Sequence, residues 1–242
     1  MNTYSFTFKN TAIGVDVHPA QGDAKAAILY FHGGGLLYGR RDDLPLPYIN
    51  AITSRGYHLL CMDYLLAPES PLRDIHASVD RGVEWFLSAR KDLGLGNCPF
   101  VLFGRSAGAY LALTQAYRMA QRGGEQPLAL LPFYGYHTLN HPFFLHPSSH
   151  YRLLPLIEES LLPDLRGAAA VSSGAMESRF FLYVYARQHG KWLEMLSASS
   201  EDMAAFAVPE EALPLLPPAF LTASTSDADV PFSFSKKEPH EL

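Results

Sequence analysis

A serine between two glycines joins a strand pattern to a helix pattern within residues 99–121. PFVLF (99–103) is a continuous apolar run, Gly104-Arg105-Ser106-Ala107-Gly108 matches G-x-S-x-G, and residues 107–121 have helical spacing. A strand-to-helix turn this tight needs small neighbours, because larger side chains would collide with adjacent backbone. It also places Ser106 at a helix N-terminus, where partial positive charge favours a developing anion. The segment predicts an exposed, chemically usable serine.

The rest of the chain repeats this alternation of buried strands and helices. Predicted strands are AAILYF (26–31), YHLLCMDYLL (57–66), LALLPFYG (128–135) and PPAFLTAS (217–224), with helices near 48–56 and over 72–90. YSFTF and IGVDVH near the N-terminus alternate with period two and predict an antiparallel pair. The pattern predicts the α/β class, with a mostly parallel central sheet covered by helices on both faces.

About eighty residues separate the last two predicted strands, too many for a simple connection. We therefore predict a single domain over residues 1–242 with a largely helical cap insertion at about 136–212. Four histidines of this region lie in YHTLNHPFFLHPSSHY, namely His137, His141, His146 and His150. Prolines interrupt the segment and no cysteine or carboxylate lies close by, so it does not predict a metal site. No cofactor is predicted.

Three consecutive glycines follow the first buried strand, after His32. Acyl transfer passes through an oxyanion that preset backbone N–H groups stabilise, and glycines let the backbone approach a substrate closely. Because His32 precedes Ser106 in the chain, we expect it to fix this loop by hydrogen bonding rather than to act as a catalytic base.

Taken together, HGGG (32–35), DYLLAPE (63–69) and GRSAG (104–108) resemble the α/β-hydrolase fold. The resemblance is closest to the hormone-sensitive-lipase-like esterases (α/β hydrolase fold-3) and covers about residues 20–135 and 215–235. It implies Ser106 as nucleophile and an oxyanion hole from the backbone of Gly34, Gly35 and Ala107. In that family the middle motif usually reads D-Y-R-L-A-P-E, so Leu65 replaces an arginine and puts one local salt bridge in doubt.

The acid of a catalytic triad is expected just after the last predicted strand, because the order in this fold is serine, acid, histidine. TSDADVPF offers Asp227 and Asp229. Similar hydrolases show an aspartate followed by Val-Pro three and four positions later, and Asp227 stands in that relation to Val230-Pro231. We expect Asp227 to be the acid and Asp229 to cap a turn or helix.

The base is not identified by the sequence. His240 is the one histidine beyond Asp227, 13 positions further on. An extended tail of that length could reach the site, but a base must be held within hydrogen-bond reach of its nucleophile. Family members place a helix, a final strand and a last helix around their histidine. We therefore expect that this chain lacks those elements and the base, and that the exposed sheet edge favours self-association.

The charge composition limits which binding partners are expected. The chain has a formal net charge of -5 with mixed signs, which argues against nucleic acid or an anionic membrane surface. No signal-peptide pattern or transmembrane-length run occurs, and Cys61 and Cys98 lie in or beside apolar runs. Reduced thiols and a cytoplasmic location are expected.

The predicted function is a serine hydrolase that cleaves small carboxylic esters through an acyl-enzyme on Ser106. Two alternatives stay open. The Asp-x-x-Val-Pro pattern also fits a prolyl-oligopeptidase-type peptidase, although a chain of 242 residues leaves no room for the large propeller of such enzymes. Without a placed base, the protein could instead be a non-catalytic hydrolase-fold remnant or a module that binds a small ligand.

Overall fold

The computed structural model describes residues 1–234, in which six strands form one sheet. They are β1 (Asn2–Phe8), β2 (Thr11–His18), β3 (Ala26–Phe31), β4 (Tyr57–Met62), β5 (Phe100–Arg105) and β6 (Ala129–Phe133). Their spatial order is β1-β2-β4-β3-β5-β6. The pairs β1/β2 and β2/β4 are antiparallel, and β4, β3, β5 and β6 run parallel to one another. The predicted N-terminal antiparallel pair is present.

The register of the parallel strands brings their carboxyl ends to one edge. Phe31 of β3 pairs with Met62 of β4 and with Gly104 of β5, and Arg105 pairs with Phe133 of β6. The HGGG loop, the DYLLAPE segment and the serine turn each follow one of these strand ends. In open α/β sheets, ligands bind in the crevice outside this carboxyl edge.

The described helices cover both faces of the sheet. They are α1 (Leu46–Thr53), α2 (Leu72–Ala89), α3 (Ala107–Arg122), α4 (Pro142–Leu145), α5 (Leu162–Leu165), α6 (Met176–His189), α7 (Trp192–Met195) and α8 (Ser200–Ala205). Ile75 and Phe86 of α2 and Leu111 of α3 belong to the larger core cluster. Ile49 and Ile52 of α1 pack against a second cluster on the other face. The apolar side chains of α2 and α3 are therefore buried against the sheet, and those of α1 are partly buried.

The predicted strand at 217–224 is reduced to two isolated parallel bridges, Leu130 with Ala219 and Phe133 with Thr222. Leu130 exchanges backbone hydrogen bonds with Pro218 and Phe220, and the N–H of Tyr134 donates to the carbonyl of Thr222. The ladder position between them falls on Pro132, which has no N–H to donate. The prediction of a full strand here was wrong for that reason, although the segment still runs beside β6.

Short helices occupy much of the predicted cap region, and α6 is the longest of them. Its sequence is apolar on several faces, and its core side chains include Leu182, Tyr183 and Val184, each at most 5% exposed. Short 3-10 turns lie at Arg41–Asp43, Tyr151–Leu153, Glu159–Leu161, Glu210–Leu215 and Phe232–Phe234. Among residues 1–234, no helix combines the length and apolar character needed to cross a membrane.

Candidate active site

Ser106 adopts the strained backbone that the glycine-flanked motif predicts. Its φ is 52° and its ψ is -118°, and it stands immediately before the first residue of α3. A Cβ on Gly104 would lie 2.0 Å from the carbonyl oxygen of Gly108, and one on Gly108 would lie 2.1 Å from that of Phe31. The turn therefore cannot form with a side chain at either position. A strained serine at a sheet edge is typical of functional sites.

Ser106 opens into a cavity of about 440 Å³. Its lining comes from the loop after β3, the serine turn, the end of β6 and the N-terminus of α6, and comprises Gly33, Gly34, Tyr38, Gly39, Arg40, Asp42, Asp43, Arg105, Ser106, Tyr134, Ala175, Met176 and Glu177. The volume suits a small organic ligand. Within residues 1–234, no histidine contributes to this lining.

The three glycines lie at different depths beside the serine. Gly33 and Gly34 line the cavity, whereas Gly35 is buried. Gly33 is not among the predicted oxyanion residues, yet a Cβ there would lie 3.5 Å from the Cβ of Ser106. Gly34 has φ +104°, and its carbonyl accepts from the N–H groups of Leu37 and Tyr38, which closes the loop. No acceptor among residues 1–234 takes the N–H of Gly34 or Gly35.

Ala107, the third predicted oxyanion-hole residue, lies on α3 rather than on the glycine loop. It is fully buried and is the first residue of α3, so its N–H has no acceptor inside the helix. Ser106 itself is tied down, because its N–H donates to the carbonyl of Phe133 at 2.9 Å. The expected oxyanion residues thus sit on the two elements that flank the serine.

His32 supports the glycine loop. It is fully buried, its ring stacks on Tyr64 with centroids 4.3 Å apart, and its Nδ1 lies 2.8 Å from the carbonyl oxygen of Gly33. The hydroxyl of Tyr64 donates to the carbonyl of His32 at 2.8 Å. Burial lowers the pKa of His32, which favours a neutral ring. These contacts match the expected loop-fixing role.

The DYLLAPE segment is anchored by a partner that the sequence did not reveal. Leu65 is buried, and the carboxylate of Glu69 pairs with Arg179 of α6, with oxygen–nitrogen distances of 2.7 and 2.9 Å. Arg179 also donates to the carbonyls of Leu37 and Ala67. Burial opposes ionisation of Glu69, but the hydrogen bonds and charge of Arg179 together with backbone N–H donors, including that of Gly167, outweigh it and lower the pKa of Glu69. The motif usually carries an arginine where this chain has Leu65. Here Glu69 of the motif pairs instead with Arg179, which comes from α6.

The capping role that was expected of Asp229 is filled by Asp227. Oδ1 of Asp227 accepts from the N–H groups of Asp229 and Val230, each at 2.9 Å, so Asp227 caps the turn that was expected of Asp229. Asp229 instead accepts from the hydroxyl of Tyr183 at 2.8 Å. Its guanidinium neighbour, Arg187, is 3.9 Å away. Burial raises the pKa of Asp229.

Asp227 follows the segment that runs parallel to β6, so its turn begins at the same sheet edge as the serine turn. It does not line the Ser106 cavity. Its Oδ2 accepts no hydrogen bond from residues 1–234 and is free for a further donor. His240, the one histidine predicted beyond it, lies outside the described residues.

The predicted histidine group does not converge on a metal site among the described residues. His141 caps α4 by accepting from the N–H of Phe143, and Nδ1 of His146 contacts the carbonyl of Pro142. Cys61 and Cys98 are free thiols, and burial raises the pKa of both.

The α/β hydrolase fold family matches residues 28–228 of this chain, and the chain belongs to it. The resemblance and the fold class predicted from the sequence are therefore confirmed. A protein of unknown function from Staphylococcus aureus is 31% identical and has a TM-score of 0.87, covering 97% of this chain and 83% of that one. An alpha/beta hydrolase superfamily protein from Enterococcus faecalis is also 31% identical, with a TM-score of 0.84 and the same coverage.

Two further similarities are narrower. One concerns the fold alone, and the other concerns about half of the sequence. Carboxyl esterase 2 of the fungus Tuber melanosporum shares the fold at 16% identity, with a TM-score of 0.61 over 91% of this chain and 65% of that one. A non-reducing polyketide synthase of Penicillium rubens is 33% identical over 144 residues, which are 56% of this chain. The matched region spans only 6% of the length of that curated relative.

Proposed function

We propose that this protein is a serine hydrolase that cleaves small carboxylic esters through an acyl-enzyme on Ser106. The observation that carries the proposal is the cavity that the strained Ser106 lines together with Gly33 and Gly34 of the HGGG loop. Membership of the α/β hydrolase fold family supports hydrolysis as the reaction class. The cavity of about 440 Å³ supports a small-molecule substrate.

In the proposed reaction, Oγ of Ser106 attacks the carbonyl carbon of the ester and its proton passes to a base. The N–H groups of Gly34, Gly35 and Ala107 donate to the resulting oxyanion. As the tetrahedral intermediate collapses, the bond to the alcohol oxygen breaks and the base returns the proton to that oxygen. Water then attacks the acyl-enzyme by the same route, releasing the acid and regenerating Ser106.

Asp227 is the proposed acid that orients the base. Its Oδ1 is occupied by two backbone donors and its Oδ2 remains free, as a carboxylate that must accept one imidazole N–H requires. Asp229 is less suited, because Tyr183 already donates to its carboxylate. His240 is the candidate base from the sequence.

The test combines an active-site probe with turnover. A fluorophosphonate should modify the wild type and S178A, a matched change on the exposed surface of α6, but not S106A. Hydrolysis of 4-nitrophenyl butyrate should fall at least about a thousandfold in S106A. Turnover unchanged by S106A would refute the serine mechanism. Loss of turnover in H240A would assign the base, and unchanged turnover would exclude His240.

The same assay separates the peptidase alternative. Short nitrophenyl esters and aminoacyl-proline nitroanilides are compared at equal concentrations. An ester hydrolase should show measurable rates with the esters alone. Faster cleavage of the amides would favour the prolyl-oligopeptidase type.

A second candidate function is ligand binding without chemistry. The observation that favours it is that no histidine among residues 1–234 lines the Ser106 cavity. This candidate predicts no fluorophosphonate adduct and ester turnover no faster than buffer. It also predicts that small esters raise the melting temperature, and that a bulky replacement at the cavity wall, A175W, abolishes the shift.

A further inference from the structure

A single tyrosine of α6 touches both of the loops that the proposed function needs. The ring of Tyr183 fills the space above Gly35, where an added Cβ would lie 2.3 Å from its Cε2. Its hydroxyl donates to Asp229, 2.8 Å from Oδ1 and 3.1 Å from Oδ2. Tyr183 is 5% exposed, so its ring is buried, whereas its hydroxyl meets the partly exposed carboxylate of Asp229. Its side chain thus spans the distance from the glycine loop to the acid loop.

The glycine side of this connection is rigidly supported. Nε1 of Trp192 donates to the carbonyl of Gly35 at 2.8 Å, and the ring of Trp192 meets that of Tyr183 edge to face with centroids 6.1 Å apart. Arg179 donates to the carbonyl of Leu37 in the same loop. The ring of Tyr183 therefore has a fixed position from which its hydroxyl can act.

The acid side depends on that hydroxyl. Asp227 is held by the N–H groups of Asp229 and Val230, so its carboxylate follows the backbone at these two residues. The backbone at these two residues is held by the side chain of Val230, which is buried in the core, and by the carboxylate of Asp229, which accepts from the hydroxyl of Tyr183 on α6. Without the hydroxyl of Tyr183, the partly buried carboxylate of Asp229 loses its donor on α6, which leaves the turn at Asp227 less firmly held.

We propose that Tyr183 is a positioning residue that fixes the Asp227 turn relative to the glycine loop through its hydrogen bond to Asp229. The proposal rests on the proposed function, because Asp227 and the glycine loop matter to catalysis only if Ser106 reacts. It assigns Tyr183 no contact with substrate. The prediction is that the hydroxyl matters, since the ring alone can fill the space over Gly35.

Y183F removes the hydroxyl and keeps the ring. Y185F is the matched control, since Tyr185 is equally buried in α6 but its ring packs on His189. Hydrogen–deuterium exchange of the peptide over 224–231 should accelerate about tenfold or more in Y183F and stay unchanged in Y185F. This readout does not need turnover. Equal exchange in the two variants would overturn the proposal.

Kinetics supply the second readout. We expect kcat for 4-nitrophenyl butyrate to fall about tenfold in Y183F with KM nearly unchanged, because a displaced acid misaligns the base without altering the cavity. D229N retains an acceptor for Tyr183 and should keep a higher kcat than D229A. The double variant Y183F/D229A should be no slower than D229A alone. Additive losses would overturn the proposal, whereas a wild type without turnover or adduct would refute the proposed function and leave the exchange result to decide on Tyr183.

Discussion

The serine side and the acid side of the candidate site are built in contrasting ways. Around Ser106 the geometry comes from residues without side chains, since Gly104 and Gly108 have no room for a Cβ. Around Asp227 it comes from side chains that reach across the fold, as Tyr183 does to Asp229 over 46 positions. A short motif can specify the first kind of geometry, whereas the second needs the assembled tertiary structure.

Two arginines of α6 sharpen the contrast. Both are buried, and Arg179 is fully used, with donors to Glu69 and to two backbone carbonyls. Arg187 donates from Nη1 to the carbonyl of Phe143, but its Nε and Nη2 have no acceptor within residues 1–234. One arginine therefore secures the glycine loop by hydrogen bonds, while the other is held mainly by the aromatic rings around it.

The largest loss of stability should come from adding a side chain to the serine turn, where Gly104 and Gly108 leave no room for a Cβ. In G108A the new Cβ would overlap the carbonyl oxygen of Phe31, so β3 and α3 must separate. We expect a loss of more than about 5 kcal/mol in the free energy of unfolding, measured by urea denaturation, because the clash is with backbone. In the control G123A nothing lies within 4 Å of the new Cβ, and only the φ of +76° is unfavourable.

G123A should lose about 1–3 kcal/mol, because φ +76° with ψ -174° is a backbone conformation that residues other than glycine rarely adopt. Equal losses in G108A and G123A would mean that close packing does not dictate the glycines of the serine turn.

The next largest expected difference is between the stability losses on replacing Arg179 and on replacing Arg187. R179M leaves the buried carboxylate of Glu69 without its partner, and removal of one member of a buried pair costs about 3–5 kcal/mol. R187M removes an arginine whose Nε and Nη2 have no hydrogen-bond acceptor within residues 1–234 and whose charge partner, Asp229, is 3.9 Å away and about a third exposed, so it should cost less than R179M. Urea denaturation of both variants at pH 7 measures the difference. A loss in R187M as large as that in R179M would contradict the distinction.

Much of the serine side could be predicted from the sequence, because the information there is local. The strained conformation of Ser106 follows from the glycine spacing, and the neighbouring HGGG loop follows from the strand before it. The placement of Gly33 at the cavity wall was missed, since three adjacent glycines are indistinguishable until the loop is folded. The predicted strand at 217–224 did not form in full. The sequence of the neighbouring strand β6 already indicated this, because Pro132 has no N–H to donate to a β-ladder.

The acid side could be predicted only in outline. The Asp-x-x-Val-Pro pattern singled out Asp227, but the capping role expected of Asp229 belongs to Asp227 itself. Nothing in the sequence pairs Arg179 with Glu69, because 110 positions separate them. Such contacts depend on how α6 lies over the sheet edge, and neither local propensity nor periodicity encodes that placement.

The smallest expected effect is on how stability depends on pH. Glu69 and Asp229, whose carboxylates both contact α6, should contribute with opposite signs. Arg179 lowers the pKa of Glu69 against the effect of burial, so its contribution to stability is present above the ordinary value of 4.5 and is lost as the pH falls through the folded-state pKa. Burial raises the pKa of Asp229 above 3.8, despite donors from Tyr183 and the charge of Arg187. Its protonated form favours the folded state, so stability is lost as the pH rises through the raised pKa.

Urea denaturation between pH 3 and pH 7 should therefore separate E69Q from D229N. E69Q should be less stable than the wild type at pH 7, and this gap should begin to close as the pH falls below 4.5 and go on closing toward the lowered folded-state pKa of Glu69. D229N, which keeps an acceptor for Tyr183, should gain stability relative to the wild type as the pH rises. Gaps that change in the same direction with pH would show that α6 holds both carboxylates in the same way, and the contrast between its two arginines would then fail.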